Sequence, residues 1–301
     1  TFNATSHDAM AMVIVTLQVF AGMWINAFIV SVLCITWVKK KSFQSNEKIL
    51  LLLGCCRFWD LCIIWIYTFL SLIYPWCFYV RPIPQLFSAI QCFFNTCNLW
   101  VSACLCVFYC VKIANFRHAF FIFLKVNVSR IVPWLLLGSV LLSLILGILG
   151  YDITNIHLNS TTSRNFWKLR VRMDEHLFPV AFISGIIFAT AFMAVIVSAL
   201  LLLISLWRHK RRMQTNALKT LSMDAHIRAI KSVLFFFIIY SITFTGFLLS
   251  LIYATKNDIL TTFLILTFQY ALSVAHSLIL IFSNPKLGKT LLRALPCLKC
   301  K

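Results

Sequence analysis

Long stretches without a charged residue constrain this chain more than any other feature. Six of them contain no Asp, Glu, Lys or Arg: residues 9–38, 82–111, 131–151, 177–207, 232–255 and 259–285. A seventh, residues 49–80, is interrupted only by Arg57 and Asp60. Each reaches the ~20 residues that an α-helix needs to cross a hydrocarbon core of about 30 Å. Because backbone groups in lipid must bond within their own segment, the sequence predicts seven membrane-crossing helices.

The predicted fold is therefore an all-α membrane protein, a single seven-transmembrane helix bundle over residues 1–301. After the seventh stretch, Asn284 can cap a further helix and Pro285 suits its first turn. Leu287, Leu291 and Leu295 then recur every four residues, which predicts a short amphipathic helix on the cytoplasmic membrane surface. The expected helices are 9–38, 47–75, 83–113, 130–150, 177–207, 226–254, 259–283 and, for the amphipathic one, 285–295.

The basic residues predict how the chain is oriented. The net charge of +19 is compatible with nucleic-acid binding only if the charges form one patch. Instead, twenty of the 27 Lys and Arg residues fall in 39–48, 112–130, 208–231 and the tail from 286, and six fall in the alternate segments. By the positive-inside rule, the N-terminus is outside and the tail is cytoplasmic. We expect these charges to contact anionic lipid headgroups and not nucleic acid.

Cysteines and glycosylation motifs follow the same topology. Most of the twelve cysteines lie in apolar stretches, and only Cys77 and Cys92 are placed to pair at the outer surface. Cys297 and Cys300 beside the inner leaflet are either acylated or plain reduced thiols. Asn159 lies in an N-x-S/T motif in the longest outer loop and is the expected glycosylation site.

Five segments together carry a resemblance to a known family. They are EKILLLLGCCR from Glu47, FYCVKIANF from Phe108, LLISLWRHKRRMQ from Leu202, DAHIRAIKSVLFFFIIY from Asp224 and HSLILIFSNPKL from His276. Together, and in this order, they resemble the type 2 (bitter) taste receptors, a family of G-protein-coupled receptors. The resemblance implies a plasma-membrane protein that binds small bitter agonists in the outer half of the bundle. It implies a heterotrimeric G protein as partner, with a gustducin-type or inhibitory-type α-subunit and βγ, and neither a cofactor nor an enzymatic activity.

Some residues depart from the family pattern. Gln91 stands where the family often has Trp, Ala191 and Ser273 replace its usual prolines in helices 5 and 7, and Thr36 replaces a negative residue. These departures indicate a divergent member of the family, and a non-mammalian source is one explanation.

A polar stripe on helix 3 suggests where a ligand binds. Gln91, Asn95, Asn98, Ser102, Tyr109 and Lys112 share one face, which must meet other helices or a cavity. Because the outer halves of helices 3, 5, 6 and 7 lack an acidic residue, we expect mostly neutral or apolar agonists. The candidate ligand contacts are Gln91, Phe94, Asn95, Ile183, Ile187, Thr243, Phe247, Leu266, Gln269 and Tyr270. Interhelical packing is the competing interpretation of each.

Two further sets concern signalling. Arg57 and Asp60 are one turn apart in helix 2, so an ion pair between them is one possibility. The resemblance implies that Arg57, with Asn26 nearby, connects helices 1, 2 and 7, and Tyr240 is our candidate relay. His276 should face the bundle, either as a neutral hydrogen-bonded ring or as a protonation switch. The residues expected to face a G protein are Tyr109, Lys112, His209, Met213, His226, Lys231 and Lys286.

Other functions fit the sequence less well. A vomeronasal-type pheromone receptor shares the topology but is not expected to combine the HS…NPKL and KIANF segments. A retinal protein needs a lysine in helix 7, and residues 259–285 contain none. A small transporter usually needs several buried acids, and Asp60 is alone in the predicted membrane helices.

Overall fold

The computed structural model describes residues 6–114, 118–160, 178–213, 234–235, 237–246, 249 and 259–299, with side chains for most of them. Throughout these ranges the regular secondary structure is helical. In chain order, the α-helices are α1 (Ser6–Lys40), α2 (Ser45–Ile73), α3 (Ile83–Ile113), α4 (Ala119–Ser160), α5 (Phe178–Met213), α6 (Phe237–Gly246, the described part), α7 (Ile259–Ser283) and α8 (Pro285–Lys299). A short 3-10 helix, Pro75–Tyr79, connects α2 to α3.

The predicted all-α membrane fold is confirmed. In the described part of the chain, α1 to α5 are each long and apolar enough to cross a membrane, and α6 and α7 contribute shorter apolar stretches. Large apolar side chains also cover the outside of the bundle. Trp24, Trp134 and Phe282 are 78%, 74% and 67% exposed, respectively. Such a surface is stable in lipid, whereas in water it would drive association.

Several helix ends differ from those expected, most of all in α4. It begins at Ala119 where we expected 130, and it ends at Ser160 where we expected 150. Loss of the apolar pattern marks where the chain leaves the lipid, but it does not stop a helix. Lys125 and Arg130 are good helix formers whose exposed side chains reach water while their backbones stay helical.

Helix α3 is the centre of the bundle, since it packs against α2, α4 and α5. Most residues of its second half are buried, with Val101, Leu105 and Cys106 fully inside. Glycines in α4 bring the two backbones close together. A Cβ added at Gly147 would lie 3.1 Å from the carbonyl oxygen of Ala89 in α3. This close α3–α4 contact therefore favours a residue without a side chain.

Helix α8 starts as predicted and docks on the end of the bundle. The Asn284 side chain accepts a hydrogen bond from the backbone N–H of Lys286 at 3.0 Å. Leu287 is fully buried, whereas Lys289 and Arg293 are exposed, as an amphipathic surface helix requires. The side chains of Leu295 and Cys297, and all of Cys300, lie outside the described residues.

The cysteines of the described part are free thiols, including Cys77 and Cys92. The outer-surface pairing considered from sequence is therefore absent from this structure. Cys77 lies in the short 3-10 helix, and Cys92 is about two and a half turns into α3, beside Gly150 of α4. The Cys92 side chain is consequently occupied by the α3–α4 contact.

Candidate ligand cavity and polar core

A buried arginine organises the centre of the bundle. Arg57 of α2 is only 4% exposed. Its guanidinium donates to Ser277 Oγ of α7 at 2.9 Å and to Ser102 Oγ of α3 at 3.2 Å, and it contacts His276 Nδ1. A charge in the membrane interior is costly unless it is hydrogen-bonded, and the planar guanidinium can bond to two helices at once.

The same network reaches α1. The Ser277 hydroxyl also lies 3.1 Å from Asn26 Oδ1, and Asn26 Nδ2 donates to the carbonyl oxygen of Gly22 at 2.8 Å. Asn26 is 2% exposed and Ser277 is fully buried. Helices α1, α2, α3 and α7 are thus connected by side chains around one guanidinium.

Helix α6 joins this network through Tyr240. Its hydroxyl donates to the backbone carbonyl oxygen of Leu99 in α3 at 3.0 Å. Its ring makes an edge contact with the His276 ring, with the centroids 6.2 Å apart. The structure therefore brings together Asn26, Arg57, Tyr240 and His276, all of which were selected from sequence. Their role in signalling stays a prediction.

Asp60 forms no ion pair with Arg57 within 4.0 Å, although the two are one turn apart. In the described residues, the one ion pair within 4.0 Å joins Lys286 to Glu47. Asp60 Oδ2 instead accepts a hydrogen bond from Asn98 Nδ2 of α3 at 3.1 Å. The ion pair considered from sequence does not form, because the guanidinium is directed at α3 and α7.

A cavity of about 480 Å³ lies next to this network. Its polar end, which we call the floor, is formed by Arg57, Asp60, Asn98, Ser102, Tyr240 and His276. Its walls come from α2 to α7 and are mostly apolar. They include Gln91, Asn95, Leu146, Leu149, Ile153, Ile187, Phe188, Thr243 and Tyr270. A mostly apolar cavity with few polar groups is the usual form of a small-molecule site.

Half of the candidate ligand contacts line this cavity: Gln91, Asn95, Ile187, Thr243 and Tyr270. Phe94 is not among the lining residues. It packs against the hydrophobic core and its ring lies 5.1 Å from that of Phe93. Successive helical residues point about 100° apart, so Asn95 takes the cavity face and Phe94 does not. The side chains of Ile183, Leu266 and Gln269, and all of Phe247, lie outside the described residues.

Few features of the sequence indicate that α2 and α4 contribute to the cavity. Leu146, Leu149 and Ile153 belong to a uniformly apolar stretch in which no periodicity distinguishes lipid from cavity. Gly147 and Gly150 carry the one available signal, because small residues in a membrane helix often face another helix. Asp60 stood out in the sequence, but we considered it only as a partner of Arg57.

The residues expected to face a G protein are partly described. Tyr109 is half-buried near the end of α3, and exposed Lys112 lies 5.4 Å from the Phe108 ring centroid. Lys286 pairs with Glu47 of α2. The side chains of His209 and Met213, all of His226 and Lys231, and the side chain of the glycosylation candidate Asn159 lie outside the described residues.

Five of the membrane helices are joined by one polar network, and a cavity lies directly against that network. This is the architecture of a helical membrane receptor. The family profile described as "Taste receptor protein (TAS2R)" matches residues 4–299. The chain therefore belongs to the type 2 taste receptor family, whose members are G-protein-coupled bitter taste receptors and not enzymes.

Curated relatives agree along almost the whole chain. Human taste receptor type 2 member 9 is 31% identical, with 97% of this chain and 95% of the relative covered. Taste receptor type 2 member 7 of Papio hamadryas is 32% identical, with 91% and 89% covered. Human taste receptor type 2 member 2 is 28% identical, with 100% and 98% covered. Membership of this family implies small-molecule ligands and coupling to a G protein. It does not favour the alternatives of a vomeronasal receptor or a transporter.

Proposed function

We propose that this receptor binds small bitter compounds in the cavity between α2 and α7 and signals from the plasma membrane through a gustducin-type or inhibitory-type G protein. The observation that supports this best is that the floor of the cavity is also the polar network. An agonist in the cavity can touch Tyr240, which is hydrogen-bonded to α3 and in contact with α7. Ligand contact and helix arrangement are therefore coupled through the same side chains.

The predicted contacts Gln91, Asn95, Ile187, Thr243 and Tyr270 form the wall of this proposed site. Ile183, Phe247, Leu266 and Gln269 are proposed to extend it on α5, α6 and α7. The agonist acts by binding more tightly to the signalling arrangement of the helices than to the resting one. Differential affinity of this kind is the one way in which a ligand shifts such an equilibrium.

In the orientation that accompanies this proposal, the N-terminus lies outside the cell. The basic segments that follow α3 and α5 and precede α6 lie in the cytosol. The positive-inside distribution supports it. The G-protein surface then comprises Tyr109 and Lys112 with His209, Met213, His226, Lys231 and Lys286. Asn159 is proposed to carry the glycan on the outer side.

The test is a calcium-release assay in cells that co-express a taste-type G protein. Cells with the tagged receptor are screened against a panel of bitter compounds, and receptor at the surface is quantified on intact cells. We expect at least one agonist, and we expect Gln91→Ala and Ile187→Ala to raise its EC50 about tenfold or more. Leu141→Ala, on an exposed face of α4, is the control and should leave the EC50 unchanged. A correctly delivered receptor that responds to no compound would contradict the proposal.

A further inference from the structure

The floor of the cavity holds a carboxylate that the receptor itself only half satisfies. Asp60 is 8% exposed and lines the cavity. Its Oδ2 accepts from Asn98, while its Oδ1 is buried and has no hydrogen-bond partner among the described residues. A buried acceptor of this kind costs stability, so its retention calls for an explanation.

The neighbouring groups leave this oxygen to a ligand. Asn98 also lines the cavity, and its amide oxygen is likewise buried without a described partner. The nearby guanidinium of Arg57 is directed at Ser277, Ser102 and His276, so Asp60 is beyond ion-pair distance. Two adjacent acceptors therefore remain on the polar floor of a cavity whose walls are mostly apolar.

We propose that Asp60, supported by Asn98, is the specificity-determining residue of this receptor, and that it binds a hydrogen-bond donor group of the agonist. The inference rests on the proposed ligand cavity. Agonists should carry a hydroxyl or N–H group at one end of an apolar body. The donor bonds to Asp60 Oδ1, and the apolar body lies against Leu149, Ile153 and Ile187.

Unpaired acceptors in the cavity explain how a receptor selects between similar agonists better than apolar contacts do. A site that supplies unpaired buried acceptors rejects an analogue that lacks the donor, because the acceptors then stay desolvated and unbonded. An apolar wall distinguishes ligands that differ by one methyl group much more weakly. Methylation of the donor should therefore weaken an agonist far more than its added size predicts.

The experiment uses matched pairs of aromatic compounds in which one member has a free phenol or aniline group. The other member is the corresponding anisole or N,N-dimethylaniline, which is neutral and has no donor. Each pair is measured on the full-length receptor by calcium release. It is also measured as a ligand-induced shift in Tm of the detergent-purified receptor, which reads binding without a G protein. On the unmodified receptor we expect donor-bearing members to be at least tenfold more potent than their methylated partners.

Asp60→Leu should reduce this preference to about twofold or less, and Asp60→Asn, which keeps an acceptor oxygen in nearly the same shape, should restore part of it. Leu149→Ala is the matched control, because it removes a wall contact from both members of a pair and should weaken them equally. Surface level and Tm without ligand are recorded for every variant, so that poor folding is separated from altered selectivity. If Asp60→Leu misfolds, the comparison with Asp60→Asn still tests the charge.

The outcomes separate this inference from the proposed function. Equal potency of paired compounds on the unmodified receptor, or equal weakening of both members in Asp60→Leu, would overturn the donor site and leave the cavity intact. Tm shifts with the expected preference but no calcium release would support the donor site and contradict the signalling proposal. Binding of neither member of any pair would overturn both.

Discussion

Lys286 in the first turn of α8 and Glu47 in the first turn of α2 form an ion pair with 2.6 Å between Nζ and Oε1. The second carboxylate oxygen of Glu47 accepts a hydrogen bond from the backbone N–H of Gln44 at 3.0 Å. One carboxylate therefore both caps α2 and attaches α8 to it. The position of α8 on the bundle depends on a residue more than two hundred positions earlier in the chain.

Glu47→Gln should lower the stability of the receptor by about 1–2 kcal/mol, between the values for an exposed ion pair and a buried charged hydrogen bond. The amide can still accept from Gln44, so the change removes mainly the charge. We expect a lower Tm of the detergent-purified protein. Exposed Lys289→Ala serves as the control. An unchanged Tm in Glu47→Gln speaks against it.

Arg57→Ala should reduce both surface delivery and response several-fold. It leaves Ser277, Ser102 and His276 buried without the guanidinium, and a loss of a few kcal/mol in a marginally stable protein lowers its abundance. Arg57→Lys should recover only part of the loss, because an ammonium lacks the planar fork that reaches α3 and α7 together. Surface labelling and dose-response measurements check this. Normal values of both in Arg57→Ala would remove the residue from its central role.

Tyr240→Ala should change signalling without abolishing surface delivery. The substitution removes the hydrogen bond to Leu99 of α3 and the ring contact with His276 of α7. Tyr240→Phe keeps the ring and loses only the hydroxyl, so its effect on the EC50 or basal activity should be smaller. A dose-response curve in Tyr240→Ala identical to that of the unmodified receptor excludes a relay role.

Gly147→Leu should destabilise the bundle, whereas Gly138→Leu in the same helix should not. A Cβ at Gly147 would meet the Ala89 carbonyl oxygen at 3.1 Å, and nothing lies within 4 Å of a Cβ at Gly138. Overpacking of this kind typically costs about 1–3 kcal/mol. The two variants carry the same substitution in the same helix, so a difference between their Tm values reports only on position. Equal Tm values would show that α3 and α4 are less tightly packed than the structure indicates.

Glycosylation tests the orientation. Asn159→Gln should remove an endoglycosidase-sensitive mass difference, because the proposed orientation puts its motif outside. Asn127→Gln should change nothing, because the proposed orientation puts Asn127 on the cytoplasmic side. Its side chain donates to the Phe123 carbonyl oxygen at 3.0 Å. A glycan on Asn127 would reverse the proposed topology.

The membrane fold and its helices were largely predictable. The ends of α3 and α7 agree with expectation at both termini, and the start of α8 at Pro285 follows from its capping sequence. These features are local, because a charge-free stretch, a cap or a proline acts on its own neighbours whatever the rest of the chain does. The convergence of Arg57 and His276 was also foreseeable, since a polar group in a membrane helix has to face the bundle.

The sequence alone determined that lipid surrounds this chain, that the helices cross the lipid and that polar residues face the inside of the bundle. The reason is that placing backbone groups and charges in hydrocarbon carries a free-energy cost that depends only on the length and composition of each segment. Only the tertiary structure decided which partners meet. Asp60 bonds to Asn98 instead of Arg57, Lys286 pairs with Glu47, and Phe94 turns into the core while α4 supplies a cavity wall. Each of these depends on how far one helix is rotated against another, and that rotation is set by close packing between distant parts of the chain.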